Sequence, residues 1–366
     1  MSVNKILPRT TFWSGKKILV TGHTGFKGSW LTLWLKALGA DVTGLALEPL
    51  TQPNMFDVTR AGDGITSIIG DINDKALVKR VLSDSQPDIV FHLAAQPIVR
   101  ESYQDPVYTY MTNVMGTAHV LEAVRHTPSV RAVVVVTSDK CYENPEWQWG
   151  CREHDAMGGF DPYSSSKGCA ELVTSAYRRS FFGGNDPSKP FAGIASARAG
   201  NVIGGGDWAR DRLIPDLVRA GAAGQAAVIR NPNAVRPWQH VLEPLSGYLV
   251  LAEKLWVDRS CADGWNFGPA FEDALTVETV LTLFCAQMNG KVSWRIEKAA
   301  DNLHEAHLLR LDISKAQLGL GWRPRWTIET AISETAKWFC QYDEKADMRK
   351  LTLSQIEAYT QSTIGR

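Results

Sequence analysis

KILVTGHTGFKG, residues 17–28, carries the deciding pattern: five mostly apolar residues of strand character run straight into a loop with glycines at 22, 25 and 28. Residues 28–38 then repeat apolar side chains at helical spacing. Glycine permits the tight turn, and it lets backbone N–H groups at a helix N-terminus close on a diphosphate. The spacing is GxxGxxG, not GxGxxG, and a glycine triplet alone is a weak signal. Its place between a strand and an amphipathic helix makes Gly22, His23, Thr24, Gly25, Phe26 and Gly28 a candidate dinucleotide loop.

Working outward, the chain repeats the same unit. Residues 41–47, 65–69, 88–93 and 131–137 are short, largely apolar runs, and 192–197 is a sixth. Such runs are expected to be strands buried on both faces of a parallel sheet. Helices are expected between them over 74–83, 107–125 and 164–181. The alternation predicts an α/β fold, a doubly wound parallel sheet of the Rossmann type with right-handed crossovers. After Gly200 the regularity weakens: 201–211 is glycine-rich, and 231–243 mixes prolines with polar residues. A dinucleotide-binding domain with the catalytic residues is therefore expected over 1–200. A smaller substrate lobe is expected over 201–366, capping the strand ends, with some chain crossing back. The polar tail from Asp343 is expected to be a surface helix or partly disordered.

Lys plus Arg and Asp plus Glu both number 39, so no basic surplus points to nucleic acid, although arginines can still gather around an anionic ligand. Residues 1–17 lack the apolar core of a signal peptide, and no apolar stretch approaches the roughly 20 residues of a membrane span. The six cysteines, Cys141, Cys151, Cys169, Cys261, Cys285 and Cys340, are scattered without a CxxC pair. That pattern suits reduced thiols better than disulfides or a metal site. A cytoplasmic protein without nucleic-acid or membrane partners is expected.

The choice of dinucleotide turns on the end of the second strand, where an acid holds a ribose 2′-hydroxyl and a basic residue a 2′-phosphate. That end reads Gly44-Leu45-Ala46-Leu47-Glu48. It has no Arg or Lys, Glu48 is a plausible acid, and NAD is the expected cofactor. Asp71 and Ile72, after the third strand, would bracket the adenine. Further along, Tyr163 and Lys167 stand four apart, on one face of a helix. A neighbouring ammonium lowers a phenol from its usual pKa of about 10, and a phenolate is a competent base for a sugar hydroxyl. YxxxK is common by chance. Here it follows Thr137-Ser138-Asp139 by one strand–helix unit, which selects the functional interpretation, with Ser138 bonding the substrate oxygen beside Tyr163.

TGHTGFKG (21–28), HLAAQ (92–96), YSSSK (163–167), RAGNVIGGGDW (198–208) and LGWRP (320–324) together resemble the extended short-chain dehydrogenases/reductases along the whole chain. Within that group GHTGFKGSWL (22–31), TSDKCY (137–142), AMGGFDPYSSSKGCAELV (156–173) and RPWQHVLEPLSGYL (236–249) are similar to the CDP-glucose 4,6-dehydratase branch. The resemblance implies Leu93, Ala94 and Ala95 along the cofactor. It also implies an acid–base pair directly after the hydroxyl residue, commonly Thr-Asp-Glu and here Ser138-Asp139-Lys140. In that chemistry, oxidation at C4 of the hexose acidifies the C5 proton. A base removes it, an acid protonates the departing C6 hydroxyl, and hydride returns to C6. Tyr163 is then the base at the 4-hydroxyl, Lys140 the base at C5 and Asp139 the acid at O6, although the adjacent pair could trade roles. Lys140 must be neutral and Asp139 protonated when they act.

A nucleoside diphosphate suits arginine forks, so Arg198, Arg212 and Arg236 are candidates, with the amides of Asn201 and Asn266. The resemblance implies Asn201, Arg236 and Asn266 near the diphosphate and residues 212–214 near the base. Trp147, Trp149 and the 236–240 loop could wall the pocket. The expected partner is a nucleotide sugar, CDP-glucose, and recognition of cytosine rests on the resemblance alone. A 4-epimerase would need the loop, Tyr163 and Lys167 but not Asp139-Lys140. A dehydratase for another nucleotide hexose would differ in the base pocket, and a dinucleotide-sensing regulator would need none of the catalytic set. Apolar faces on 107–125 and 164–181, helices that pair across a dimer in that family, lead to the expectation of a homodimer or homotetramer.

Overall fold

The computed structural model describes residues 7–182, 192–297 and 308–363. Seven strands, β1 (Lys17–Thr21), β2 (Asp41–Ala46), β3 (Thr66–Ile69), β4 (Ile89–His92), β5 (Ala132–Val136), β6 (Gly193–Ala199) and β7 (Gly264–Phe267), form one sheet. Their order is β7-β6-β5-β4-β1-β2-β3, and every pairing is parallel. Ile18 and Val20 enter one apolar core with Phe91, Val134 and Ala197. Leu19, between them, enters the other with Val90, Val133 and Ile194. With a core on each face, consecutive positions must be apolar, and the inner strands read as unbroken apolar runs for that reason. β3 departs from the expectation. It is the edge, paired only with β2, and its residues are exposed or half-buried.

The helices are α1 (Phe26–Ala37), α2 (Lys75–Ser85), α3 (Gly116–Arg125), α4 (Pro162–Phe181), α5 (Leu213–Ala222), α6 (Leu242–Val257), α7 (Val277–Gln287), α8 (Ile328–Asp343) and α9 (Met348–Gln361), with shorter turns between. α4 begins two residues earlier than expected because Asp161 caps it, accepting the Ser164 N–H, and Pro162 fills its first turn. The single helix expected over 107–125 is three pieces: Pro106–Tyr110, a wide π turn Met111–Met115, and α3. Such a turn absorbs an extra residue and re-aims a side chain, here Asn113.

Two elements after residue 201 lie in or on the sheet, β7 at its edge and α6, which is buried nearly all round. The supposed loops carry short pairings: Gln239–His240 runs parallel to Val202–Ile203, and Val235–Pro237 antiparallel to Ala274–Thr276. The tail from Asp343 is a surface helix over its described residues, packed by one face. α9 buries Met348, Thr352, Ile356 and Tyr359, and the Tyr359 ring meets Trp34 of α1 at 5.8 Å. Its hydroxyl donates to Glu243 of α6 at 2.7 Å. No described helix is long and apolar enough to cross a membrane.

Candidate active site

Segments leaving the carboxyl ends of β1, β4, β5 and β6 converge on one cleft of about 1620 Å³. Pockets for one small ligand hold about 300–1,000 Å³, so this cleft has room for a dinucleotide and a second nucleotide. It lies where ligands bind in open parallel sheets, outside the carboxyl ends of the strands.

The glycine loop forms one end. Gly22 has φ +78°, and a Cβ there would lie 2.7 Å from the Ala94 nitrogen. A Cβ on Gly28 would overlap the Gly22 carbonyl oxygen. Gly25 caps α1 without a side chain, leaving the first-turn N–H groups open to an anion. Thr24, Gly25, Phe26 and Gly28 line the cleft with Glu48, Asp71, Ile72, Leu93, Ala94 and Ala95. His23 does not present its side chain there. The ring turns under the loop into the space left by Gly44 and bonds Ser67 Oγ through Nε2 at 2.7 Å, and burial lowers its pKa to about 4. Only the His23 backbone can meet a diphosphate. Gly28→Ala is expected to weaken NAD binding by about 5- to 150-fold, because forcing a methyl into a closed contact costs about 1–3 kcal/mol; equilibrium dialysis of the apoprotein measures it.

The chemical centre lies between β5 and α4. Ser138, at the end of β5, donates from Oγ to Asp139 Oδ1 at 3.0 Å and faces the Tyr163 phenol. Asp139 is 3% exposed. Burial raises its carboxyl pKa against the pull of Lys140, Ser138, Arg236 and Lys27, which favours the protonated form an acid needs. Its Oδ2 is buried without a hydrogen-bond partner. Lys140 lines the cleft beside it. Tyr163 and Lys167 lie on one face of α4, both buried.

Burial pushes the Tyr163 phenol up to about 12, Asp139 and Asp161 add to the rise, and Ser138 and Arg212 oppose it. Lys167, lowered by burial to about 8, points its ammonium at the Val136 carbonyl 3.4 Å away.

The structure sorts the remaining candidates. Asn201, Arg212 and Arg236 line the cleft, and Arg212 pairs with Asp207 at 2.8 Å. Arg198 and Asn266 do not line it. Arg198 is spent on Glu171, with Nη2 to Oε2 at 2.8 Å and Nε to Oε1 at 2.9 Å, and it also donates to the Tyr142 hydroxyl. Asn266 donates to the carbonyls of Cys151 and Asp312 and accepts from Tyr142. Both sit inside strands and face each other in register across β6 and β7, so neither projects from a strand end. Trp147 and Trp149 pack on each other, exposed and outside the cleft. Of the 236–240 loop, Arg236 and Trp238 reach the cleft, whereas His240 is sandwiched between Trp30 and Trp326.

Three residues of the site escape a motif search. Asn113, aimed by the π turn, exchanges bonds with the Gln96 backbone at 2.8 and 3.0 Å and donates to Ser166 of α4 at 2.8 Å. Glu171 accepts from Thr137 and Ser196, both at 2.5 Å, besides Arg198. Lys27, a variable position of the glycine loop, extends into the cleft among Arg212, Asp139, Lys167 and Asp207. Only Lys27 had a visible signal, a cation inside an anion-binding loop.

A glycine cradle for a diphosphate, with a Ser/Tyr/Lys set beside it at the strand ends, defines a dinucleotide-dependent enzyme of the short-chain dehydrogenase/reductase class. The family model described as GDP-mannose 4,6 dehydratase matches residues 19–335, and the chain belongs to that family. It is 51% identical over 353 residues to a CDP-glucose 4,6-dehydratase of Salmonella typhimurium, spanning 96% of this chain and 98% of that protein. A dTDP-glucose 4,6-dehydratase of Xanthomonas campestris is 27% identical over 88% of this chain and 92% of its own. Among solved structures, an epimerase of Methanothermobacter thermautotrophicus matches with TM-score 0.78 at 23% identity, over 96% of this chain and 99% of the other. The dTDP-glucose 4,6-dehydratase of Bacillus anthracis in complex with NAD matches with 0.74 at 24%, over 91% and 99%. At these identities the structural likeness establishes the fold.

Proposed function

We propose that the chain is a hydro-lyase that converts CDP-D-glucose to CDP-4-keto-6-deoxy-D-glucose and water, with NAD recycled in each turnover. The observation that carries it is Asp139-Lys140, held straight after Ser138 in the cleft that holds Tyr163. A 4-epimerase needs no second acid–base pair, and a carboxyl buried with its pKa raised suits protonation of a leaving hydroxyl. The 51% identity with a CDP-glucose enzyme supports the choice of nucleotide.

The residues present fit NAD. The loop from Gly22 to Gly28 takes the diphosphate, Glu48 the adenosine ribose, and Asp71 and Ile72 flank the adenine. When bound, NAD supplies reversible oxidation at C4 of the sugar. Ser138 orients the 4-hydroxyl and Tyr163 takes its proton, assisted by Arg212, with Lys167 beside them. Lys140 removes the C5 proton, which the C4 ketone acidifies, and later returns it. Asp139 protonates the C6 oxygen as it leaves. Asn201 and Arg236 hold the substrate diphosphate, and the segment from Arg212 meets the base. A homodimer or homotetramer is supported by exposed Val107, Met111 and Met115 before α3 and Leu172 on α4, and cytoplasmic residence by six free cysteines.

The test is incubation of the NAD-loaded enzyme with CDP-glucose, dTDP-glucose, UDP-glucose and GDP-mannose, following the alkaline absorbance of a 4-keto-6-deoxy product. Product from CDP-glucose alone is expected. Product from another donor only would overturn the base assignment, and no product from any donor would end the dehydratase proposal.

A further inference from the structure

The hydro-lyase cycle leaves one proton in the wrong place, and the role inferred for Lys27 rests on that cycle. Tyr163 takes the proton of the 4-hydroxyl, and Asp139 gives one to the departing C6 oxygen. Lys140 takes the C5 proton and puts it back. After one turnover Tyr163 therefore holds one proton more than at the start and Asp139 one fewer. The overall conversion to product and water neither consumes nor releases a proton. Before the next turnover the phenol must lose a proton and the carboxylate must gain one.

Lys27 stands where such a carrier is needed. It leaves the first turn of α1, lines the same cleft as Tyr163 and Asp139, and feels the charges of Arg212, Asp139, Lys167 and Asp207. Among the described residues no hydrogen bond or ion pair holds its ammonium. Asp139 Oδ2 is likewise buried without a partner, on the side where a Cβ on Gly200 would lie 2.9 Å from it. Gly200 lets the backbone pass close to that oxygen, with Pro237 packed on the same side. An ammonium without a partner and a carboxyl oxygen without one thus share one cleft, and a lysine stem is flexible.

We propose that Lys27 is the proton carrier that resets the site, returning to Asp139 the proton that Tyr163 has gained. In the first transfer an N–H bond of the Lys27 ammonium breaks and an O–H bond forms on the Asp139 carboxylate, leaving a neutral amine and a carboxylic acid. In the second the amine takes the phenolic proton of Tyr163, which restores the ammonium and the phenolate. No other reactant is required. Burial, with Arg212 and Lys167 nearby, lowers the Lys27 ammonium to about 7, so it gives up a proton more readily than an ordinary lysine. Lys140 and Arg236, which also face Asp139, are occupied in the proposed cycle by C5 and the diphosphate.

Rapid-quench kinetics of the NAD-saturated enzyme with CDP-glucose test this, with Lys27→Arg and Lys27→Met as variants. Arginine keeps the charge but does not give up its proton. In both variants the first turnover is expected to outrun the steady state by about a hundred-fold more than in the wild type, the lower end of a general acid–base contribution. Added methylamine is expected to restore the steady state of Lys27→Met. Wild-type steady-state turnover in Lys27→Arg would overturn the proposal, and so would equal slowing of first and later turnovers. Asp139→Asn separates the two layers: it is expected to abolish even the first turnover, and full activity there would overturn the acid assignment itself, and the carrier with it.

Discussion

Tyr163→Phe is expected to lower turnover of CDP-glucose by about 10²–10⁴-fold while leaving substrate affinity nearly unchanged, the range found when a positioned acid or base is removed. The phenol sits on a rigid helix, 8% exposed, with its backbone N–H held by Ser102 Oγ at 3.1 Å. Phenylalanine keeps the ring and its packing and removes only the oxygen proposed to take the proton. The loss therefore belongs in kcat, because the interaction is used as the 4-hydroxyl ionises. Calorimetric binding of CDP-glucose together with steady-state rates measures the split, and a loss confined to KM would refute the role. Lys140→Ala supplies the contrast. Oxidation at C4 stays detectable as absorbance of the reduced cofactor, and deuterium exchange at C5 disappears. Unchanged exchange would move the C5 base away from Lys140.

The second large effect concerns stability. Glu171→Ala is expected to destabilise the fold by about 3–5 kcal/mol, the cost of leaving a buried partner charge uncompensated. Glu171 and Arg198 are each 5% exposed at the side chain, 2.8 Å apart, and Thr137 and Ser196 would lose their acceptor as well. Urea unfolding monitored by tryptophan fluorescence measures it, and a loss under about 1 kcal/mol would be too small for a buried pair. The pH dependence has a definite sign. Arg198, with the Ser196 and Thr137 hydroxyls, holds the folded carboxyl below its ordinary range against burial. Its contribution is thus fully present above the unfolded value of about 4.3 and is lost as pH falls through the folded value. The gap between wild type and variant is expected to narrow on acidification through that window. The same cluster ties the end of β5 and helix α4 to β6, so the pair also holds Ser138 and Tyr163 at their separation.

Much of this site was legible because its spacing is local. Tyr163 and Lys167 share a helical face whatever the helix packs against, Ser138, Asp139 and Lys140 are contiguous, and the glycine loop is a single turn. A sheet covered on both sides demands unbroken apolar strands, so residues such as Ala132–Val136 announce a parallel α/β core without any partner being known. The second half was harder. α6 is apolar nearly all round and has no amphipathic period to read. β7 is four residues that become a strand only beside β6. The tail after Asp343 looked polar because its buried positions recur only every third or fourth residue, against a face of α1 some 300 positions away.

The strand, loop and helix at residues 17–28 thus marked a candidate dinucleotide site from the sequence alone, and the reaction class followed from the resemblance that Ser138-Asp139-Lys140 and Tyr163–Lys167 share with a known family. The partners of the charges were decided only by tertiary structure. Arg198, Arg212 and Arg236 are the same residue type, yet Arg198 is neutralised within the core while the other two reach the cleft. Asn113 gained its aim from a π turn, and Lys27 its surroundings from four residues distant in sequence. Electrostatic environment depends on distance through space and on exclusion of water, and sequence spacing reports neither once chain segments from opposite ends of the polypeptide meet.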